Sequence, residues 1–286
     1  MAKPQATVRR YLLGMELKRL RSLAKVTQSQ AGQVIDADDS KMSRIESGTS
    51  SISRPELAEL LRLYGVSADE EIFDFLITLN RESRKHGWWY QHRGAIPPSV
   101  LQLIELEATA TAMYQFSPAV VPGLLQTEDY ARALIGGLSD LPPEDIDAAV
   151  SVRMSRQRIL DDANGPELTC VLDEAAVRRQ IGSSKVQREQ LMSLLERAAS
   201  PTLTVRVVPH SQGVHAAIDG GFKLFTYPTP TMMEFAFIEY LGGHLFLEGD
   251  TDVQRFKTTV RCLDEQALSS EDSLKLISRI ARDVDS

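Results

Sequence analysis

The sequence predicts an all-α domain over residues 1–86 followed by an α+β domain over residues 87–286. Three observations carry this. Hydroxyl residues followed three positions later by Gln or Glu, a helix-start signature, recur at Thr27/Gln30, Ser53/Glu56 and Ser67/Glu70. At residues 86–98 the texture turns aromatic and then proline-punctuated. Strand-like runs bounded by turn signals follow at 167–172, 203–208, 221–227, 234–240 and 244–248.

In the first domain Leu13, Leu17 and Leu20 recur at helical spacing and Leu23 follows, predicting an amphipathic first helix with Arg and Lys outward. Thr27 with Gln30 starts the second helix, whose buried face is expected from Ala31, Val34 and Ile35. Asp36 and Ala37 make the turn. Aspartate enters the left-handed region at modest cost, which suits such a turn. Asp38 is a suitable N-cap for a third helix over 39–46. Met42 and Ile45 point inward there at i, i+3, which leaves Asp39, Ser40, Lys41, Ser43 and Arg44 outside. A fourth helix is expected over 55–64, with Leu57, Leu60 and Leu61 inside, and a fifth from Ser67 to about Arg84.

Two short helices joined by a tight turn over 27–48 form the layout of a DNA-reading helix-turn-helix. A major groove admits one helix, and side chains at its leading end reach base edges. The net charge of −7 opposes nucleic-acid binding, but the charge is unevenly placed. Residues 1–35 carry seven Lys/Arg against Glu16 alone; residues 1–86 carry 14 Lys/Arg and 12 Asp/Glu, or +2, leaving −9 for the rest. Screening confines what a duplex feels to about 10 Å, so a basic first domain on an acidic chain is compatible with DNA binding.

The ordered elements Leu17-x2-Leu20-Arg21, Thr27-Gln28, Ala31 and Met42-Ser43-Arg44-Ile45-Glu46-x-Gly48 resemble the lambda-repressor/Cro, or Xre, class of helix-turn-helix domains, over about residues 11–66. The resemblance implies an operator-binding interface of Thr27, Gln28, Asp39, Ser40, Lys41, Ser43 and Arg44. Gln28 would anchor a phosphate. Asp39, Ser40 and Arg44 would face bases, with Lys41 flanking them. Arg44 suits a guanine, whose O6 and N7 a guanidinium meets together. Asp39 either accepts from a cytosine amino group or complements the start of its helix.

For the second domain the sequence predicts a helix from Ser99 to about Tyr114, a Pro-Gly turn, and a helix capped by Thr127. Another helix follows Pro142-Pro143 to Leu160. Strands alternate with helices at 173–181 and 186–199, an antiparallel group covers 221–248, and two helices close the chain at 251–267 and 271–284. The tryptophans at 88 and 89 are expected in a core at the domain junction. The pieces Val121-Pro122-Gly123-Leu124-Leu125-Gln126-Thr127, Tyr130-Ala131-Arg132, Arg156-Gln157, Leu172-Asp173-Glu174-Ala175-Ala176 and Gly220-Gly221-Phe222 are similar to those of actinobacterial WhiJ-type, antitoxin-like regulators. That resemblance implies a regulator controlled by a small, co-encoded partner protein. A C-terminal domain that senses a small-molecule ligand is the alternative.

No catalytic, metal or cofactor site is expected. His210, Ser211, His215 and Asp219 share one stretch, but no G-x-S-x-G elbow surrounds Ser211 and the two histidines lack a third ligand at metal-site spacing. The glycine pairs at 136–137, 220–221 and 242–243 read as turns rather than as a phosphate loop. Two distant cysteines, Cys170 and Cys262, make neither a disulfide framework nor a metal pattern. No apolar run reaches the roughly 18 residues of a membrane span, and no secretory signal is evident. The expected setting is the cytoplasm, on the nucleoid when bound to DNA. Homodimerisation is expected because two half-sites add the specificity that one helix in one groove lacks.

Overall fold

The computed structural model describes residues 8–84, 89, 96, 98–138, 141–227, 233–241 and 243–284. The chain divides into two compact units, one built mainly from residues up to 94 with 100–109, the other mainly from 110–286.

The first unit is helical, and the second combines helices with one sheet. In the first, α1 (Val8–Leu23), α2 (Gln28–Val34), α3 (Asp39–Glu46), α4 (Arg54–Leu63) and α5 (Glu71–Glu82) follow one another. Both ends of the capping boxes at Thr27/Gln30 and Ser53/Glu56 are made, and Asp38 caps α3 through the Lys41 amide at 2.6 Å. Leu12, Leu13, Leu17, Met42, Ile45, Leu57, Leu60, Leu61 and Leu76 form the core. α1 approaches the end of α3 closely: a Cβ on Gly14 would stand 2.5 Å from the Glu46 carbonyl oxygen and 2.6 Å from that of Ile45. The following α6 (Pro98–Thr109) contributes residues 100–109 to this unit, where Glu105 accepts from the Val8 amide at 3.2 Å and from the Trp89 indole at 3.4 Å.

Three expectations change here. Leu23 is 67% exposed, because it lies in the last turn of α1 where the chain leaves the core. Val34 is 41% exposed; Ala31, Gly32 and Ile35 are the buried residues of this stretch. The fifth helix begins at Glu71. Glu70 accepts from the Ser67 amide at 2.6 Å, which closes a turn ahead of the helix instead of its first turn. Of the junction tryptophans, Trp88 lies outside the described residues.

The second unit holds a six-stranded mixed sheet of β1 (Ala112–Ser117), β2 (Glu167–Asp173), β3 (Leu203–Val208), β4 (Phe222–Thr226), β5 (Glu234–Tyr240) and β6 (Gly243–Leu247), in the order β3-β2-β1-β4-β5-β6. β1, β2 and β3 are parallel; β4, β5 and β6 continue antiparallel from β1. Parallel neighbours need crossovers. The first contains α7 (Glu128–Leu138) and α8 (Pro143–Gln157); the second contains α9 (Glu174–Arg178) and α10 (Ser184–Arg197). The antiparallel group over 222–247 thus forms as expected, and helices alternate with the parallel strands ahead of it, also as expected. Ala112 to Tyr114, expected at a helix end, open β1 instead: both neighbours of that strand lie far along the chain, and no local pattern announces them.

α11 (Asp250–Gln266) covers one sheet face. Phe116, Val171, Val208, Phe222 and Leu263 pack together there, with Tyr114, Phe256 and Val260 against them. Arg206 of β3 fastens that helix, donating to the Leu268, Asp264 and Ala267 carbonyl oxygens and to the Asp264 carboxylate. α12 (Ser270–Asp283) packs along β3 and α10. The helix expected over 173–181 ends at Arg178, and the one expected to reach Leu160 passes into a 3-10 turn over Arg158–Asp161. The irregular Pro-Gly segment is held by buried glutamines. Gln126 donates to the Val121 carbonyl, Gln157 to those of Gly123 and Gln126, and Gln190 to that of Leu125. Buried backbone outside a helix or ladder needs such partners.

Candidate nucleic-acid interface

The turn between α2 and α3 closes on Asp36, whose φ of 48° lies in the left-handed region that a glycine commonly fills. The Ala37 amide donates back to the Gly32 carbonyl at 2.9 Å, so α3 leaves the turn at a fixed angle. Met42 and Ile45 are fully buried and orient the helix. Its outer face presents Asp39, Ser40, Ser43 and Arg44, all exposed. Arg44 reaches back one turn, donating from Nη1 to the Ser40 hydroxyl at 2.7 Å. The Arg44 carbonyl is used in turn by the Ser50 amide at 2.9 Å, which fixes the loop after the helix.

Lys41 is drawn sideways: its ammonium donates to the Glu56 carboxylate at 2.8 Å. That contact first, with the Ser53 amide and hydroxyl, outweighs burial and holds the Glu56 carboxyl down at about 2. Thr27 accepts the Gln30 amide at 3.1 Å and is exposed. Gln28 turns inward from the start of α2 and donates to Glu46 at 2.8 Å.

Glu46 is the hub that sequence reasoning passed over. It is 5% exposed and accepts from Arg21 at 2.6 and 3.1 Å as well as from Gln28, so one carboxylate ties α1, α2 and α3. Arg21 also donates to the Val26 carbonyl at 2.9 Å. The hydrogen bond to Glu46, against the cost of burial, raises the Arg21 guanidinium above its ordinary value. Burial, followed by the Glu46 charge, pushes the neighbouring Tyr64 phenol up. The available signal was a charged residue at a core position, one after Ile45 on the same short helix.

The exposed faces therefore place Asp39, Ser40, Ser43 and Arg44 together on α3, with Thr27 at the head of α2. Lys41 and Gln28 are half-buried and engaged with Glu56 and Glu46. The arrangement can present one guanidinium, three hydroxyls and one carboxylate to a groove.

In the second unit, the histidine-bearing stretch gathers around Asp173 at the end of β2 rather than around Ser211 or Asp219. The Asp173 carboxylate faces His210 Nε2 at 3.7 Å and His215 Nε2 at 3.4 Å, and accepts the Ala175 amide at 2.7 Å. His215 is 5% exposed, and its Nδ1 accepts from the Ala217 amide at 3.3 Å, so both ring nitrogens are engaged within the fold. Glu174 accepts from the His210 amide at 2.8 Å and from Arg178. Burial raises its carboxyl, but these partners together hold it below the usual carboxylate range. Among the described residues, no group of three or more His, Cys, Asp or Glu is placed to hold a metal ion, and no helix is long and apolar enough to cross a membrane.

Comparison with known proteins finds two family models. One, described as a helix-turn-helix domain, matches residues 12–72 and covers all of α1 to α4 except the first residues of α1. It points to a DNA-binding regulator. The other, described as a domain of unknown function (DUF5753), matches residues 100–279, more than half of the chain. No curated protein and no solved structure matches. With a helix-turn-helix ahead of a sheet domain that the second model spans from α6 into α12, the chain belongs to the DUF5753 family.

Proposed function

We propose that this protein is a sequence-specific transcriptional regulator of the antitoxin-like, WhiJ-type kind. In this reading residues 1–86 bind an operator and residues 87–286 receive the signal. Gln28 contacts a phosphate; Asp39, Ser40 and Arg44 of α3 face bases, with Lys41 beside them and Thr27 and Ser43 completing the interface. The observation that carries the reading is the outer face of α3: polar and exposed, it is backed by two fully buried anchors and fixed at both ends by Asp38 and the Ser50 amide. A rigid helix with its leading residues free is what groove reading requires.

The chain acts as a homodimer in the cytoplasm. One helix in one groove supplies limited discrimination, and two half-sites about one helical turn apart add the rest. A small co-encoded protein binds the second domain and modulates the affinity. The second reading, a small-molecule sensor, draws on the cluster at Asp173, because ligands of open α/β sheets bind beyond the carboxyl ends of parallel strands.

Selection of genomic fragments by the purified full-length protein at about 0.15 M salt, with and without the neighbouring small protein, tests this. An enriched palindrome that shifts on adding the partner is expected. Enrichment of no site in either condition would remove the operator reading. Ligand-dependent thermal stabilisation without the partner would favour the sensor.

A further inference from the structure

Each of the first four helices is followed by a residue in the left-handed region: Lys25 (φ 56°), Asp36 (φ 48°), Gly48 (φ 71°) and Gly65 (φ 83°). At the end of α1 the pattern is complete. The Lys25 amide donates to the Ser22 carbonyl and the Val26 amide to that of Arg21, both at 3.1 Å. This paired closure favours glycine at the position Lys25 holds. A short aspartate tolerates the region through local hydrogen bonding, which accounts for Asp36. A lysine has no such compensation, and its Cβ meets the full steric cost.

Lys25 is exposed and makes no ion pair or side-chain hydrogen bond with another described residue. Other cations of the same unit are paired: Arg19 with Glu16, Arg21 with Glu46, Lys41 with Glu56 and Arg62 with Glu59. Lys18, two turns earlier on α1, is likewise exposed and unpaired among the described residues. Lys25 also stands two residues before Thr27 and three before Gln28, which is assigned to a phosphate.

Resting on the DNA-binding reading above, we infer that Lys25 is a further phosphate contact, a charge kept where the backbone favours glycine. Strained residues that the fold does not need point to function. A phosphate contact carries no sequence information and adds one released counterion.

The test titrates full-length protein with its selected operator duplex and with a random duplex, from 50 to about 300 mM salt. Lys25→Gly relieves the backbone and Lys25→Gln removes only the charge. Both are expected to bind both duplexes about fivefold more weakly at 0.15 M salt, with a salt slope shallower by about one. Lys25→Arg should retain affinity and slope, and Lys25→Gly should melt at or above the wild type. Wild-type affinity and slope in both Lys25→Gly and Lys25→Gln would overturn the assignment. So would a loss confined to the operator duplex, the mark of a base contact. If the wild-type protein binds neither duplex at any salt, the DNA-binding reading falls and this inference with it; if it binds and the variants match it, the inference falls alone.

Discussion

The Glu46 carboxylate, at the end of α3, receives the Arg21 guanidinium of α1 through two bonds, 2.6 Å from Nε and 3.1 Å from Nη2. Only 3% of the Glu46 side chain and 14% of the Arg21 side chain are exposed. Removing one partner of such a pair leaves the other charge in a poorly solvated site. Glu46→Gln is expected to destabilise the first unit by about 3 kcal/mol. Pairing it with Arg21→Met should recover part of that loss. Urea unfolding of the four proteins measures the coupling; additive losses would mean the pair does not act as a unit.

Arg44→Ala should cost about 1–3 kcal/mol on the operator and relax discrimination at one base position. Binding competitions against operators altered one position at a time give the readout. Equal losses on operator and random DNA would remove Arg44 from base reading.

Lys41 is paired with Glu56 in the folded unit. Its ammonium, ahead of Ser53, holds Glu56 at about 2, against 4.5 for an unperturbed carboxyl. A carboxyl lowered by folding stabilises the fold above the unfolded value, and the contribution disappears as pH falls from about 4.5 toward 2. Lys41→Met should therefore flatten the pH dependence of stability in that window, by no more than about 1 kcal/mol for a partly exposed pair. On DNA the same variant should weaken all sequences alike, with a salt slope shallower by about one. Acid titrations of thermal stability and salt-dependent binding check the two halves separately.

Gly14 is where α1 touches the backbone at the end of α3, with no room for a Cβ. Gly14→Ala should cost about 1–3 kcal/mol by overpacking. Gly137→Ala, in α7 with nothing within 4 Å of the added atom, should be neutral or stabilising by up to about 1 kcal/mol. Melting temperatures of the two variants separate close approach from helix propensity.

Asp173 holds the stretch after β3 through His210 and His215 and caps α9 through the Ala175 amide. Asp173→Ala should raise hydrogen exchange across 209–220 while the strand amides of β1 to β3 stay protected. Loss of the cap adds about 1 kcal/mol of destabilisation. Unchanged exchange in that stretch would mean that Gln266, which accepts the Ala216 amide at 2.9 Å, holds it without Asp173.

The local chemistry of the first unit was legible residue by residue. Thr27/Gln30, Asp38 and Ser53/Glu56 mark helix starts because a cap and its amide lie within three positions of each other, and the structure makes each of those bonds. Met42 and Ile45 follow from the 3.6-residue period. β3 and β5 emerge at their expected bounds because strongly β-forming runs need no distant information to be seen. What lay beyond the sequence depends on partners far along the chain. β1 is a strand because β2 and β4 flank it, 55 and over 100 residues later. Glu46 is tied to an arginine 25 positions earlier, and Asp173 to histidines 37 and 42 positions later. Capping and periodicity are interactions within one or two turns, so composition and order specify them. Sheet neighbours and buried ion pairs are set only when the folded chain brings distant groups together and takes them out of water.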